Sequence, residues 1–431
     1  MKEKVLIITY YWPPSGGSGV QRWAYFSKYL KKLDFEPIVL TVDENKASYP
    51  YLDYSLEKEV KDITVFKTDS FEPLQIYSKI ASGDRKKAIP YGDVPTKNQS
   101  FFKKMAAFIR GNFILPDARK YWRKHALPKA KELIEKEDIK LVITTGPPHS
   151  THLIGLALKK KMDIKWIADF RDPWTEIFYN KDLYKTTLAK RIDARLEAKV
   201  LGNADQLTAV SPYSKELIDK KISTSSKSHC FYNGFDHEIF DRIEKIDHTA
   251  DLTFAYVGYI GKHHQHEIIT KGMQALIKAQ PDKKIKLHLA GNIDKTILAT
   301  WNSIAGLDVN HEGIVSHQRA VSIICNATIV LVNIPNSTYA MGNIPGKLLE
   351  CLASENPLIL IAENKSDAAK LIAEFDNTTT VSRENQGDFL SFCKDVIHQK
   401  VTKDDKRSEI MRFSRKAIVV EINALLRKML N

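Results

Sequence analysis

The sequence predicts an α/β protein made of two doubly wound parallel sheets, and three observations support this fold class. Short apolar runs alternate with segments of helical period, glycine-rich turns follow several of these runs, and the 431 residues suggest two or three domains. Continuous apolar strands separated by helices are typical of parallel sheets covered on both faces. Twelve such strands are too many for one sheet, so we expect two Rossmann-like domains of roughly 200 residues each.

The predicted strands divide evenly between the two halves of the chain. They cover residues 5–10, 37–42, 63–68, 141–145, 165–170 and 206–211 in the first half, and 253–258, 286–290, 308–311, 328–333, 357–362 and 378–381 in the second. We place the first domain at 1–232 and the second at 233–405. The first contains an insertion at about 77–122 that does not follow the alternation of strands and helices. A polar, turn-rich stretch at 233–251 marks the boundary, and apolar spacing predicts one long terminal helix over 404–431, of which 406–431 form a separate element.

Composition restricts the cellular setting. The chain is 43% hydrophobic and 27% charged, as expected for globular domains, and its four cysteines show neither paired nor metal-like spacing. Residues 1–4 lead straight into a strand, and no apolar run is long enough to span a bilayer. We therefore expect a reducing, cytoplasmic location, either soluble or peripheral on the inner face of the cytoplasmic membrane.

The formal net charge of +13 favours anionic partners. No zinc knuckle, helix-turn-helix or RNA-binding signature is present, so nucleic acid is not expected as a partner. Residues 101–110 are both aromatic and basic, and two interpretations stay open. The segment is either a helix that lies on an anionic membrane surface or a core-packed helix whose lysines reach solvent.

A glycine-rich turn follows the first predicted strand. Within the segment 13–22, Gly16 and Gly17 would let the backbone approach a ligand closely, at a position where α/β domains usually bind ligands. The alternative is a plain strand–helix turn. Because the segment is neither a P-loop nor a dinucleotide fingerprint, an oxidoreductase is poorly supported.

Two further motifs follow apolar strands in the first half. The segment 144–152 places His149 in a loop and His152 about one turn into the next helix, where either can act as an acid, a base or a hydrogen-bond donor to a sugar. The segment 169–174 follows another strand. Its chemistry-bearing residues are Asp169, Arg171, Asp172 and Trp174.

In that second motif an arginine can hold two carboxylates ionised, and a tryptophan offers a flat face to a sugar ring. We interpret Asp169, Arg171 and Trp174 as acceptor-binding residues and Asp172 as a catalytic residue beside His149 and His152. The alternative is a structural salt-bridge cluster.

The second half contributes two motifs. The segment 256–267 ends a strand in Gly258, continues through Lys262 and carries three histidines and a glutamate. We expect a phosphate-facing loop there rather than a metal site, because other ligands are missing. The second motif spans 342–350, where a turn opens a helix with Lys347 near its start and Glu350 one turn later.

The segment 342–350 combines three features suited to a nucleotide diphosphate. A helix start attracts phosphate, Lys347 adds a positive charge, and Glu350 can accept hydrogen bonds from both ribose hydroxyls. The turn before the helix consists of Asn343, Ile344, Pro345 and Gly346.

Taken in order along the chain, these motifs resemble GT-B glycosyltransferases, most closely the retaining, group-1 type of family 4 in bacterial surface-polysaccharide synthesis. An Asn-Gly-Phe-Asp sequence at 233–236 and the Pro-x-Lys-x-x-Glu start at 345–350 carry much of the resemblance. The segments 146–152 and 169–174 resemble a branch acting on amino-sugar nucleotides and lipid-linked acceptors. The resemblance covers nearly the full length except the insertion.

The resemblance implies two Rossmann-like domains that face a cleft, with the final helix crossing back to the first domain. Gly16 and Gly17 would contact the donor phosphates, Lys347 and the turn 343–346 the diphosphate and sugar, and Glu350 the ribose. His149 or His152 would lie near the transferred sugar. The implied reaction moves a hexosyl or N-acetylhexosaminyl group from a UDP-linked donor to a saccharide or lipid-linked acceptor with retention, without cofactor or metal.

The chain also departs from the family pattern. Gly342 stands where the family's first glutamate is expected, and Tyr259 stands where an arginine is expected. Lys262 and Lys347 are candidates to supply the missing charge. A nucleotide-sugar epimerase of the same fold and a non-catalytic scaffold in polysaccharide assembly therefore remain alternatives.

Overall fold

The computed structural model describes residues 2–49, 52–72, 101–177, 180, 183–223, 225–244, 251–337, 339–402 and 407–431. The chain forms two compact units, one comprising Met1–Tyr232 and Val419–Asn431 and the other Asn233–Ile418. Residues 77–100 of the predicted insertion lie outside the described residues.

The first unit contains a seven-stranded sheet in the order β3-β2-β1-β4-β5-β6-β7, and every paired neighbour is parallel. Its strands are β1 (Glu3–Ile8), β2 (Phe35–Val42), β3 (Thr64–Thr68), β4 (Leu141–Gly146), β5 (Lys165–Phe170), β6 (Gln206–Ala209) and β7 (Ser228–Cys230). Its helices are α1 (Ser18–Lys32), α2 (Phe101–Phe113), α3 (Arg123–Lys136), α4 (His152–Lys159), α5 (Thr187–Asn203) and α6 (Pro212–Asp219). The central strands are buried along nearly their whole length, which explains their continuous apolar sequences.

The second unit contains a six-stranded parallel sheet in the order β10-β9-β8-β11-β12-β13. Its strands are β8 (Leu252–Val257), β9 (Ile285–Ala290), β10 (Leu307–His311), β11 (Ile329–Asn333), β12 (Leu358–Ile361) and β13 (Thr378–Val381). Its helices are α7 (His237–Phe240), α8 (His266–Ala279), α9 (Lys295–Asn302), α10 (His317–Cys325), α11 (Gly346–Ala353), α12 (Asp367–Ile372), α13 (Gly387–Ile397) and α14 (Arg407–Ile410). The chain ends in α15 (Arg415–Leu430), which begins in this unit and continues into the first.

Both sheets reverse their strand order at the centre. In the first unit β1 lies between β2 and β4, and in the second β8 lies between β9 and β11. Ligands of open α/β sheets bind beside the carboxyl ends of strands at such a switch point. The fold therefore brings the loops after β1 and β4 together in one unit, and the loops after β8 and β11 together in the other.

The twelve predicted strands are confirmed with shifts of one or two residues, but two features differ from the sequence prediction. The three-residue edge strand β7 was not predicted. The predicted single terminal helix is wrong, because Ser414 is extended (φ −65°, ψ 144°) and separates a short 3-10 turn, Met411–Phe413, from α15. Within the described residues, no helix combines the length and apolar character needed to cross a membrane.

Candidate functional site

In the first unit, Arg171 ties two loops together at the carboxyl edge of the sheet. It follows β5, and its guanidinium donates hydrogen bonds to the carbonyl oxygens of Gly19 and Pro147. Gly19 lies in the first turn of α1, directly after the glycine-rich turn, and Pro147 lies in the loop after β4. The motifs predicted separately from the sequence thus form one cluster, and Arg171, only 8% exposed, holds it.

The glycine-rich turn leaves a helix start open. Gly17 has φ 108°, a conformation that favours glycine, and precedes α1 without a side-chain cap. A side chain at this position would meet no atom within 4 Å, and the first turn of α1 contains no acidic residue. The N–H groups that follow the buried Gly16 and the partly exposed Gly17 are therefore placed to receive an anion.

Asp169 lies at the centre of a buried hydrogen-bond network. Its side chain is 0% exposed and forms an ion pair with Arg22 at 2.9 Å. Further donors to its two oxygens are Trp23 Nε1 (2.7 Å), Thr145 Oγ1 (2.7 Å) and Thr208 Oγ1 (2.6 Å). Burial alone would raise the pKa of Asp169, but Arg22 and these donors lower it to about 2. The carboxylate leaves no exposed oxygen for an acceptor, so it holds β5, α1 and β6 in place.

The two predicted histidines are buried and lie near each other. The His149 ring stacks on Trp174 with centroids 5.0 Å apart, and His152 Nδ1 lies 2.9 Å from Thr144 Oγ1. Burial lowers the pKa of both imidazoles, that of His152 to about 3. Both rings are therefore neutral at physiological pH, and His152 Nε2 has no hydrogen-bond partner among the described residues.

Trp174 and Asp172 differ in accessibility. Trp174 is 2% exposed, its indole N–H donates to Asp193 at 2.8 Å, and His149 covers one face of its ring. Its expected contact with a sugar ring therefore has no open face in this structure. Asp172 is partly exposed, and burial raises its pKa to about 6 against the lowering effect of Arg171. A carboxyl group that titrates near neutrality suits proton transfer.

In the second unit, the loop after β8 meets the first turn of α11. Lys347 Nζ donates to Tyr256 Oη at 2.6 Å and lies 4.1 Å from the centroid of that ring. Gly258 has φ 121°, and a Cβ there would lie 3.2 Å from Lys347 Nζ, so a larger residue would crowd the lysine. Burial lowers the pKa of Lys347 to about 8, so the lysine stays mainly protonated at neutral pH, and a bound anion would raise its pKa again.

The turn before α11 leaves space at the helix start. Pro345 precedes the first helical residue, and a side chain at Gly346 would meet nothing within 4 Å. Asn343 is extended and partly exposed, whereas Ile344 is 5% exposed. Lys262, in the loop after β8, is exposed.

Glu350 lies one turn into α11 and is paired with His317, the first residue of α10. The distance from His317 Nε2 to Glu350 Oε1 is 2.7 Å, and Glu350 is 8% exposed. Burial would raise the pKa of Glu350, but His317 lowers it, and Glu350 in turn raises the pKa of His317. Glu350 is therefore an ionised hydrogen-bond acceptor at neutral pH.

Sequence reasoning missed the residues that hold the predicted ones in place. Arg22 and Trp23 support Asp169, Tyr256 supports Lys347, and His317 supports Glu350. The signal for Arg22 was a charged residue within the apolar stretch of α1. Asp117 gave no signal, yet it accepts hydrogen bonds at 2.8 Å from the N–H and the hydroxyl of Ser150 beside His149.

The histidine-rich run 263–267 does not form a metal centre. His264 Nδ1 accepts a hydrogen bond from the N–H of Gly261 at 3.2 Å. Over the ranges of the chain that the structure describes, no group of three or more His, Cys, Asp or Glu side chains is arranged to hold a metal ion.

Comparisons with known proteins give a family match for one segment of the chain and structural matches for the fold. Residues 94–239 match the model of Glycosyltransferase Family 4. HepE from Anabaena, solved in complex with UDP and glucose, superposes with a TM-score of 0.62 at 11% identity, over 99% of this chain and 100% of HepE. Sucrose-phosphate synthase from Thermosynechococcus elongatus gives a TM-score of 0.62 at 13% identity, over 100% of this chain and 99% of that chain.

A structure described as a putative UDP-N-acetylglucosamine 2-epimerase from Listeria monocytogenes also matches. Its TM-score is 0.57 at 10% identity, over 100% of this chain and 97% of that chain. No curated protein matches the chain by sequence. The two Rossmann-like parallel-sheet units predicted from the sequence are confirmed, and the match over residues 94–239 agrees with the resemblance to glycosyltransferase family 4.

Proposed function

We propose that this chain, a GT-B protein whose residues 94–239 match glycosyltransferase family 4, transfers a sugar from a UDP-linked donor to a saccharide or lipid-linked acceptor. The observation that carries the proposal is the site in the second unit. There an ionised Glu350, Lys347, the start of α11 and Gly258 lie on two neighbouring segments at the carboxyl edge of one sheet.

Each part of a nucleotide sugar has a matching group in this arrangement. Glu350 accepts hydrogen bonds from the ribose hydroxyls, and its pairing with His317 keeps the carboxylate ionised and oriented. Lys347 and the open helix start bind the diphosphate, assisted by the exposed Lys262. The complex of HepE with UDP and glucose supports a uridine nucleotide and a hexosyl group.

The reaction requires stabilisation of a leaving diphosphate. The acceptor oxygen bonds to the anomeric carbon and loses its proton, while the bond from that carbon to the diphosphate oxygen breaks and UDP leaves with the electron pair. Lys347 and the N–H groups at the start of α11 stabilise the charge that develops on the phosphate. Because these groups are cationic or polar, we propose that transfer proceeds without a metal, and with retention because the diphosphate assists attack from its own side.

The first unit supplies the acceptor side of the reaction in this proposal. Asp172, whose pKa of about 6 suits a base near neutral pH, takes the acceptor proton. His149 and His152 are neutral and hydrogen-bond the transferred sugar rather than carry charge. Arg171 and Asp169, proposed from the sequence to bind acceptor, position the loops from which Asp172 and His149 project.

A donor panel tests this function. UDP-, GDP- and dTDP-sugars are screened by thermal shift, with and without EDTA, because a ligand that binds only the native state raises its unfolding temperature. We expect stabilisation by UDP-sugars that EDTA does not reduce. Stabilisation by none of the three nucleotide classes, or only in the presence of a divalent cation, contradicts the proposal.

A nucleotide-sugar epimerase is the second candidate, because the matching Listeria structure carries that description on the same fold. An epimerase converts its donor without acceptor, and a non-catalytic scaffold converts none. A transferase releases UDP in proportion to the glycosylated acceptor.

We further propose that the first unit contacts an anionic membrane surface through an apolar patch on α2 and the start of α5. The patch consists of Met105, Phe108, Ile109, Phe113, Tyr184, Leu188 and Ile192, each between 37% and 69% exposed. Asn112 joins the two parts, since its side-chain amide donates to the carbonyl of Tyr184 and accepts from the N–H of Thr186.

The charges around this patch favour lipid with anionic headgroups. α2 contains no acidic residue, and the two acidic residues of α5, Asp193 and Glu197, are buried. The exposed charges on α5 are cationic, and Lys104 adds another on α2. Apolar side chains surrounded by cations match the interface of an anionic bilayer.

Vesicle sedimentation tests this surface. We expect the protein to bind phosphatidylglycerol vesicles more tightly than phosphatidylcholine vesicles, and Phe113→Ser with Leu188→Ser to weaken binding by about tenfold or more. Ile314→Ser is the matched control, because Ile314 is 82% exposed but lies in the second unit. Equal binding of all variants would rule out the patch.

A further inference from the structure

The first unit contains a basic cavity that the proposed mechanism does not use. It measures about 840 Å³. It opens beside the carboxyl ends of β2 and β3, from which Lys46 and Phe71 extend, and the turn Lys120–Trp122 and the start of α3 form the opposite wall. A cavity of this size accommodates a small glycan.

The charges that line this cavity are unbalanced. Lys46, Lys120, Arg123 and Lys124 line it, together with one carboxylate, Asp69. Asp69 accepts a hydrogen bond from the N–H of Ser70 at 2.7 Å. Neither Lys46, Arg123 nor Lys124 forms an ion pair with a described residue.

Several other lysines of this unit are paired with carboxylates, in contrast to those of the cavity. Lys28 pairs with Glu59, Lys67 with Glu44, and Lys129 on α3 with Glu132, each at 2.7 Å. Within the cavity, burial lowers the pKa of Lys120 although the Asp117 carboxylate acts in the opposite direction, and the Lys120 ammonium donates to the carbonyl of Phe113 at 3.0 Å. An anion in the cavity would favour the charged form of this lysine.

Aromatic rings lie beside the cations. Phe71 is 50% exposed, and its ring meets that of Tyr121 edge to face with centroids 5.8 Å apart. Glu72, 4% exposed, fixes the wall next to Phe71 by accepting hydrogen bonds from Tyr10 (2.6 Å), Ser48 (3.1 Å) and Ser70 (3.0 Å). Exposed aromatic faces beside cations suit a ligand with both a ring and a phosphate.

The cavity wall is joined to the loop that carries His149. The N–H of Lys120 donates to the carbonyl of Asp117 at 3.3 Å, and the Asp117 carboxylate binds the backbone and hydroxyl of Ser150. A ligand held in the cavity therefore lies at the same edge of the sheet as the proposed acceptor groups.

We propose that the cavity binds the phosphate of a phosphate-bearing saccharide, with the sugar against Phe71 and Tyr121. The inference rests on the proposed glycosyltransferase function, because it identifies the acceptor as a phosphorylated glycan or glycolipid. Lys46, Arg123 and Lys124 bind the phosphate, and the aromatic pair distinguishes a sugar phosphate from a bare anion.

Calorimetric titration of the full chain tests the proposal with hexose 1-phosphate, inorganic phosphate and geranyl diphosphate as probes. We expect hexose 1-phosphate to bind more tightly than inorganic phosphate, and Arg123→Gln with Lys124→Gln to weaken it by about tenfold. If geranyl diphosphate binds more tightly than hexose 1-phosphate, the cavity recognises a lipid chain rather than a sugar, and the glycan assignment is overturned.

The control removes two charges from the same helix outside the cavity, Lys131→Gln with Lys136→Gln. If this variant weakens binding as much as the cavity variant, the effect is general electrostatics and the site is wrong. Equal affinity for hexose 1-phosphate and inorganic phosphate, or no loss in Tyr121→Ala, refutes the role of the aromatic pair. UDP-sugar thermal shifts measured on the same variants separate the transferase proposal from the phosphate-site proposal. If UDP-sugars give no thermal shift but the cavity still binds hexose 1-phosphate, only the transferase function is rejected.

Discussion

Replacing Glu350 with alanine is expected to abolish stabilisation by UDP-sugars and to weaken donor binding by at least about a hundredfold. The carboxylate is ionised at neutral pH, and each hydrogen bond from a ribose hydroxyl to a charged acceptor contributes about 1.5–3 kcal/mol. Isothermal titration of UDP against wild type and variant measures the loss.

Two further variants test whether the loss of affinity is specific to the Glu350 carboxylate. Glu363→Ala removes an exposed carboxylate from the same unit and should leave UDP affinity unchanged. His317→Gln removes the partner of Glu350 but keeps a hydrogen-bond donor, so its loss of affinity should be smaller. If Glu350→Ala binds UDP as tightly as wild type does, the ribose does not bind at Glu350.

The second large effect is expected at Asp169, where Asp169→Asn should destabilise the first unit by about 3–5 kcal/mol. The substitution leaves the buried Arg22 without its charge partner, and breaking a buried ion pair from one side has a cost of this size. Five of the six tryptophans lie in the first unit, so urea unfolding followed by tryptophan fluorescence reports on it.

The acid dependence of stability gives an independent check on Asp169. Its folded-state pKa of about 2 lies below the value of about 3.9 expected in an unfolded chain. Its contribution is therefore complete above about pH 4 and is lost as pH falls towards 2. Asp169→Asn should lack this component, whereas Asp163→Asn, an exposed carboxylate, should keep it. A urea midpoint for Asp169→Asn that matches Asp163→Asn would contradict the structural role.

Local pattern was sufficient to predict the sheets but not their edges or the end of the chain. Strands 165–170 and 378–381 were predicted at their observed bounds. The first is buried from its second residue onward and mostly apolar, and the second is a run of β-branched residues, three threonines and a valine. Strand β7 has only three residues, Ser228–Cys230, at a sheet edge, so no apolar run marks it. The terminal helix breaks at Ser414 because Phe235 pairs with the backbone there, accepting from Arg415 N–H at 2.8 Å and donating to Phe413.

For the candidate site, the sequence predicted which loops lie together but not which of their side chains are accessible to a ligand. Strand ends and glycine turns placed Gly17, His149 and Arg171 at one edge, as the structure has them. The partner of Asp169 lies 147 residues away at Arg22, and nothing local predicts such a contact. The sequence predicted that Asp169 binds an acceptor, whereas donors distant in sequence enclose its carboxylate. Trp174 is also unavailable, because the ring of His149 stacks on it.

The most direct test of the central claim is transfer of a labelled sugar. The purified chain is incubated with UDP-[¹⁴C]hexose or UDP-[¹⁴C]N-acetylhexosamine and a lipid and glycan extract, and released UDP is counted against labelled acceptor. We predict equal amounts of both, with the anomeric configuration of the donor retained. Two results would contradict the assignment as a glycosyltransferase. One is a label that stays on the nucleotide while one stereocentre of the sugar is inverted, and the other is no turnover with any donor.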